Sequence, residues 1–190
     1  MTYVTRRLTD FSQVENLYKS RLKSDFTEDE LKPLSSMKES WKEGNYDCYG
    51  LFDREEILGY AFFVSNGDNC LLDYFAIKED RRNEGLGSIL LKQLAACIEK
   101  EKCVIVEVED PNQANSFDDK TLRNRRLQFY LRNGFMETTL KSSVFGVSYR
   151  LLDVSNSVPH SARNIRAAYI ELYRSILPEE FFQTQFSVSN

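Results

Sequence analysis

A single histidine, His160, stands among 190 residues, and the four cysteines, Cys48, Cys70, Cys97 and Cys103, include no C-x-x-C pair. No metal centre is written in local spacing, so no metal cofactor is expected. Three of the cysteines fall in apolar strand or helix patterns, where a reduced thiol behaves as a small hydrophobe. No apolar run approaches the roughly 18 residues of a membrane helix. The opening MTYVTRRLTD lacks the apolar stretch of a secretory leader. A cytoplasmic, reducing setting without a membrane partner is expected. Charge of one sign is also scarce. The formal net charge of -4 argues against nucleic acid as a partner and mildly favours a cationic acceptor. Internal repeats and low-complexity segments are missing. What remains is an ordinary globular composition, 42% hydrophobic and 28% charged, enough for one domain with a substantial core, or one domain with a short appendage.

The chain is organised around Leu71 to Lys102. Leu71 to Ile77 is apolar and aromatic and follows the turn signal Asn66-Gly67, which predicts a buried strand. From Leu86 the residues Leu86, Ile89, Leu90, Leu94, Ala95, Cys97 and Ile98 recur at helical spacing, with Lys92, Gln93, Glu99 and Lys100 on the other side. Between strand and helix runs Arg82-Asn83-Glu84-Gly85-Leu86-Gly87-Ser88. Two glycines let the backbone approach a ligand, and the first N–H groups of the helix have no partner within it. With the helix dipole they form an anion site suited to a pyrophosphate, and Arg82 adds a charge-assisted donor at its mouth. The same pattern also describes a plain strand-to-helix turn that needs glycine. A nucleotide P-loop is excluded because no Gly-Lys-Ser/Thr is present, and G-x-G-x-x-G fails because Leu90 stands where glycine is required.

Arg82-x-x-Gly85-x-Gly87, after a strand and opening a helix, resembles the acetyl-CoA pyrophosphate loop of the GNAT superfamily of N-acetyltransferases. Downstream, Leu127-Gln-Phe-Tyr130-Leu-Arg-Asn-Gly134-Phe135 resembles the family's later motif, a helix ending in Tyr-x-x-x-Gly-Phe. The motifs come in the family's order, with the strand-like run Cys103 to Glu109 between them, and the resemblance covers residues 3 to 150. It implies an α/β fold with a central mixed, mostly antiparallel sheet flanked by helices. It also implies acetyl-CoA as co-substrate and direct acetyl transfer to a small-molecule or peptide amine in a ternary complex. The alternative is a non-catalytic CoA-binding regulatory or interaction module of the same fold.

The resemblance also implies site residues. Arg82, Asn83, Glu84, Gly85, Leu86, Gly87 and Ser88 would hold the pyrophosphate. The strand around Phe75, Ala76 and Ile77 would offer backbone N–H groups to the oxyanion. Tyr130 would contact the cofactor's sulfur as acid or hydrogen-bond donor; by pattern alone it equally suits a core aromatic beside Leu127. For the base, Glu107 and Glu109 lie two apart on one strand face, with Asp73 on a neighbouring strand. Glu109 is preferred because it lies nearer the C-terminal end of its strand. Both glutamates also suit a solvated face or pairing with Arg123, Arg125 and Arg126. Those arginines suit either the 3′-phosphate of CoA or a helix face with Asp118 and Asp119 as partners. One position departs from the family: an asparagine usual seven residues before the motif tyrosine is replaced by Arg123, with Asn124 one step away.

In chain order, a strand is expected at Tyr3 to Leu8, a helix from Asp10 with the stripe Phe11, Val14, Leu17, Tyr18 and Leu22, and a short turn at Thr27-x-x-Glu30. A helix follows from Ser36 to Glu43, with Met37 and Trp41 on one face. Tyr46 to Phe52, Ile57 to Val64 and Leu71 to Ile77 form a meander. Leu122 to Arg132 is a helix capped by Asn133-Gly134, and Phe135 to Leu140 with Val144 to Leu152 is a closing hairpin. The family-like domain spans residues 1 to 152. Residues 153 to 190 are a helical extension, with Ile165, Tyr169, Leu172, Tyr173 and Ile176 in register and a short helix from Pro178. It either packs on the same domain or forms a subunit interface, as in a homodimer.

Overall fold

The computed structural model describes residues 3–98, 103–154 and 160–190. Glu99 and Lys100 of the expected polar helix face lie outside them. The architecture is mixed α/β with a mostly antiparallel sheet, and the chain divides into two compact units. One comprises the chain up to Ser65 together with Asp73–Cys97; the other comprises Asn66–Leu72 and the chain from Ile98.

In the first unit the strands β1 (Val4–Arg7), β2 (Tyr46–Asp53) and β3 (Glu56–Asn66) run antiparallel in that order. Asp10 caps helix α1 (Phe11–Leu17), accepting from the Ser12 N–H. A π-helical turn, Tyr18–Leu22, then leads into the single turn α2 (Lys23–Asp25). The predicted capping box closes as written, with Glu30 accepting from the Thr27 backbone at 2.8 Å. Helix α3 (Leu34–Lys42) buries Met37 and sets Trp41 edge-on to Phe11 at 5.7 Å. Helix α4 (Leu86–Cys97) buries Leu86, Leu90, Leu91 and Leu94, while Ala95 and Cys97 of the expected stripe face outward. Gln93 on α4 fastens the edge strand: its Oε1 accepts from the Thr5 N–H at 2.7 Å and its Nε2 donates to the Tyr3 carbonyl at 2.9 Å.

Strand β4 (Asn69–Ile77) belongs to both units, its first half to the second and its last half to the first. In the first unit its far end passes very close to β3: a Cβ on Gly59 would lie 2.4 Å from Ile77 Cδ1 and 3.0 Å from the Ala76 carbonyl. A side chain at 59 would push the end of Ile77 aside and crowd the Ala76 carbonyl, and glycine avoids both.

The second unit is ordered β4-β5-β7-β6-β8. Strand β5 (Cys103–Glu109) pairs parallel with β4 from Asn69↔Cys103 to Leu72↔Val106. It runs antiparallel to β7 (Val147–Val154), which pairs with β6 (Met136–Val144). The hairpin between β6 and β7 turns at Phe145-Gly146, both at positive φ (47° and 81°), so β6 runs on past the expected end at Leu140 and the turn lies within the expected Val144–Leu152 strand. Phe145, 54% exposed, tilts against Phe181 at 5.8 Å. A two-residue turn of positive φ matches strand twist, and Gly146 supplies half of it. Helix α5 (Phe117–Arg132) is capped by Ser116, whose hydroxyl accepts from the Asp119 N–H.

Helices α6 (Ala162–Ile176) and α7 (Glu179–Gln185) match the expected periodicity, and the terminal strand β8 (Phe186–Ser189) adds to β6. Sequence pattern had given no strand there. Helix α6 buries Ile165, Ala168, Tyr169, Leu172 and Tyr173. Tyr173 donates to both oxygens of Glu107 on β5 at 2.8 and 2.9 Å. Tyr169 donates to Glu107 and lies 2.8 Å from Ser142 Oγ. Burial and the Glu107 charge push both phenols well above their ordinary range, so they remain fixed donors. Phe186 stacks on Tyr173 at 4.6 Å and closes the cluster. Among the described residues no helix is long and apolar enough to cross a membrane.

A hydrogen bond to a charged group is worth about 1.5–3 kcal/mol, so Tyr169→Phe should lower the unfolding free energy by that order in urea titration. A loss under about 0.5 kcal/mol would show that Glu107 does not depend on this helix.

Candidate active site

The loop Arg82 to Ser88 lies wholly in the first unit. Arg82 is extended, Asn83 takes φ 70° and Gly85 φ 81°. Asparagine and glycine are the residues that accept left-handed backbone most readily. The first intrahelical bond of α4 runs from the Ile89 N–H to the Gly85 carbonyl at 3.1 Å. The N–H groups of Leu86, Gly87 and Ser88 precede it and have no carbonyl within the helix to reach. Asn83, Glu84 and Gly85 are exposed, so a ligand can approach the helix end. The one acid in the loop is neutralised locally: Arg81 Nε lies 2.9 and 3.0 Å from the two oxygens of Glu84. That pairing lowers the Glu84 pKa, and the Arg81 guanidinium offsets the negative charge that would otherwise repel an anion.

Arg82, with a side chain 47% exposed, folds back along the surface. Its Nε donates to the Ile77 carbonyl at 3.2 Å and its guanidinium to Asp25 Oδ1 at 3.0 Å. Asp25, whose side chain is 6% exposed, also accepts from the Tyr60 hydroxyl at 2.9 Å and from Arg21 at 3.4 Å. Burial first, then the Asp25 charge, pushes the Tyr60 phenol far up. Asp25 thus links the π-interrupted helix to the loop that opens α4. Sequence reasoning passed over it, because its partner Arg82 is 57 residues away and no local spacing signals the pair.

Asp73 is likewise committed, taking Lys32 and the Tyr46 hydroxyl. Beside it the Tyr74 hydroxyl donates to the Glu30 carbonyl at 2.9 Å and accepts from the Lys32 N–H at 2.8 Å. Phe75, Ala76 and Ile77 follow on the same strand, each half-buried.

The remaining candidates lie in the second unit. Tyr130 sits at the last turn of α5, where Gly134 at φ 92° turns the chain back. The Phe135 N–H then reaches the Tyr130 carbonyl at 3.2 Å, and the Phe135 ring meets the Tyr130 ring edge-on at 5.3 Å. The spacing Tyr-x-x-x-Gly-Phe is thus the spacing of a glycine-terminated helix whose next aromatic folds onto the tyrosine. Burial pushes the Tyr130 phenol upward, against the pull of the Arg126 charge.

Glu109 pairs with Arg126 and, at 3.4 Å, with Arg123. Arg123 is buried, with Nε 2.9 Å from Asp119 and a hydrogen bond to the Asp110 carbonyl at 3.3 Å. Arg123 and Arg126 therefore serve the local acids. Asp110, 2% exposed, takes Arg150 at 2.9 Å, Lys141 at 3.3 Å and the Asn112 N–H at 3.0 Å. Burial alone would raise its pKa; these donors outweigh burial and lower it. The structure thus gathers Arg82–Ser88 with Ile77 and Asp25 in one unit, and Glu109 with the arginines of α5 in the other. Glu107 belongs to the tyrosines of α6.

The model of the acetyltransferase (GNAT) family matches residues 11–135. No curated protein matches the chain. Among solved structures, the chain is similar to a GNAT-family protein from Bacteroides thetaiotaomicron, at 18% identity and TM-score 0.70 over 93% of this chain and 98% of that one. It is similar to the ribosomal-protein-S18-alanine N-acetyltransferase of Escherichia coli, at 15% identity and TM-score 0.60 over 85% and 98%. It also resembles a Bacillus subtilis acetyltransferase in complex with CoA, at 14% identity and TM-score 0.57 over 81% and 99%.

A Cβ at Gly85 would have open space, nothing lying within 4 Å, so only backbone strain opposes substitution. Gly85→Ala should lower stability by about 1 kcal/mol, and Gly85→Asn by distinctly less, in denaturant titration. Equal losses would show that the left-handed conformation is not the constraint.

Proposed function

The chain belongs to the acetyltransferase (GNAT) family, and from that premise we propose that it transfers the acetyl group of acetyl-CoA directly to a primary amine within a ternary complex. The observation that carries this reading is the left-handed turn at Asn83 and Gly85, which leaves the N–H groups at the start of α4 open to an anion. These groups, with Arg82 at the loop's mouth, hold the pyrophosphate. Arg82 reaches it by exchanging Asp25 for phosphate oxygens.

The amine nitrogen attacks the thioester carbonyl, a C–N bond forms, and the C–S bond breaks as charge passes through an oxyanion to sulfur. Backbone N–H groups around Phe75, Ala76 and Ile77 stabilise that oxyanion, and one such donor is worth on the order of 3 kcal/mol. The acceptor enters as an ammonium with a pKa near 10.4 and must lose a proton first. We assign that proton to Glu109 through water, because its side chain is 23% exposed while that of Asp73 is 9% exposed. Tyr130 serves the leaving sulfur. An ordinary phenol near 10 already holds its proton against a thiolate near 8.5 by about 2 kcal/mol, and burial widens that gap. Tyr130 therefore acts as a hydrogen-bond donor that keeps its proton.

The test is thiol release from acetyl-CoA with a panel of amines. Tyr130→Phe should lower kcat roughly a hundredfold with CoA affinity unchanged, and Glu109→Gln should do the same. Bound CoA without thiol release from any amine would instead support the alternative, a CoA-binding regulatory module.

A further inference from the structure

One group of donor side chains takes no part in the site above. Cys103 opens β5, Asp153 lies next to the end of β7, and His160 stands immediately before Ser161, the N-cap of α6. The β5–β7 register sets Ile105 opposite Asp153, which leaves Cys103 diagonal to it on the same face. Cys103 Sγ lies 3.6 Å from Asp153 Oδ1, and His160 Nδ1 lies 2.9 Å from Asp153 Oδ2. One donor atom from each residue lies within 4.8 Å of the other two.

Asp153 is 2% exposed. Its carboxylate offers about four acceptor sites, and among the described residues its side chain meets only a thiol and an imidazole nitrogen. A thiol is a weak donor, and a buried carboxylate is stable only when well paired or bound to a cation. Thiolate, imidazole and carboxylate together are the donor types zinc selects.

We propose that Cys103, Asp153 and His160 bind a zinc ion, with water as the fourth ligand. A tetrahedral site asks for donors roughly 3.3–3.6 Å apart, so the three side chains need only small shifts. His160, with a side chain 24% exposed, gives the ion and its water a route from solvent. On binding, the Sγ–H bond of Cys103 breaks, its proton passes to solvent, and the sulfur pair forms the Zn–S bond. The ion ties β5, β7 and the lead-in to α6 at one point, fastening the C-terminal extension to the sheet. The two flanking chain distances, 103 to 153 and 153 to 160, explain why no metal signature is readable from local spacing.

The test uses the full chain carrying Cys97→Ser, which removes the exposed thiol, stripped with chelator and titrated with Co2+. One equivalent should raise a thiolate-to-cobalt charge-transfer absorption, and equimolar Zn2+ should abolish it. Cys103→Ser should lose the band. His160→Asn, at a partly exposed position, should weaken cobalt binding by about tenfold or more with an unchanged circular dichroism spectrum. No charge-transfer band in the parent, a band surviving in Cys103→Ser, or unaltered affinity in His160→Asn would each overturn the proposal.

Discussion

The left-handed backbone at Asn83 and Gly85 is the constraint on which the proposed pyrophosphate site of the first unit depends. It ends the run from β4 and starts α4 abruptly, so that the helix presents its unbonded N–H groups at an exposed corner. Two other features serve that corner. Arg81 takes up the charge of Glu84, and Gly59 lets β3 close onto Ala76 and Ile77. An anion thus meets partial positive charge with the local carboxylate already answered.

The interior is organised by carboxylates that each gather several donors. Asp25 takes Arg82, Arg21 and Tyr60; Asp73 takes Lys32 and Tyr46; Glu107 takes Tyr169 and Tyr173; Asp110 takes Arg150 and Lys141. A buried charge must be paired or solvated, and each group draws at least one partner from a distant part of the sequence. The pairing also sorts the carboxylates chemically. Glu107 is committed to fastening α6, whereas Glu109 at the open end of β5 keeps contact with water.

Much of this was legible from residues alone where the signal is local. The strand–loop–helix around Gly85, the capping box at Thr27, the Asn133-Gly134 helix end and the stripe Ile165, Tyr169, Leu172 and Tyr173 each follow from spacing within a turn or two. What was not legible is non-local or strained. The π-helical turn Tyr18–Leu22 leaves the apolar stripe of its helix unchanged. Phe145 carries a positive φ that no propensity assigns to phenylalanine, so the β6–β7 turn falls inside the expected strand Val144–Leu152 instead of before it. The four residues of β8 are too short to show a period, and they form a strand only because β6 offers an edge. The pairs Asp25–Arg82 and Glu107–Tyr173 join residues dozens of positions apart, which spacing rules cannot foresee. Exposure of Cys97 reflects the same limit, since the buried stripe of α4 runs through Leu91 instead.

The measurement that tests the central claim most directly is calorimetric titration of acetyl-CoA and of CoA into the purified protein, beside the double variant Gly85→Glu, Gly87→Glu. Micromolar binding of both by the wild type is expected, and its loss in a variant that still folds, since two carboxylates then occupy the phosphate corner. No binding by the wild type would contradict the claim.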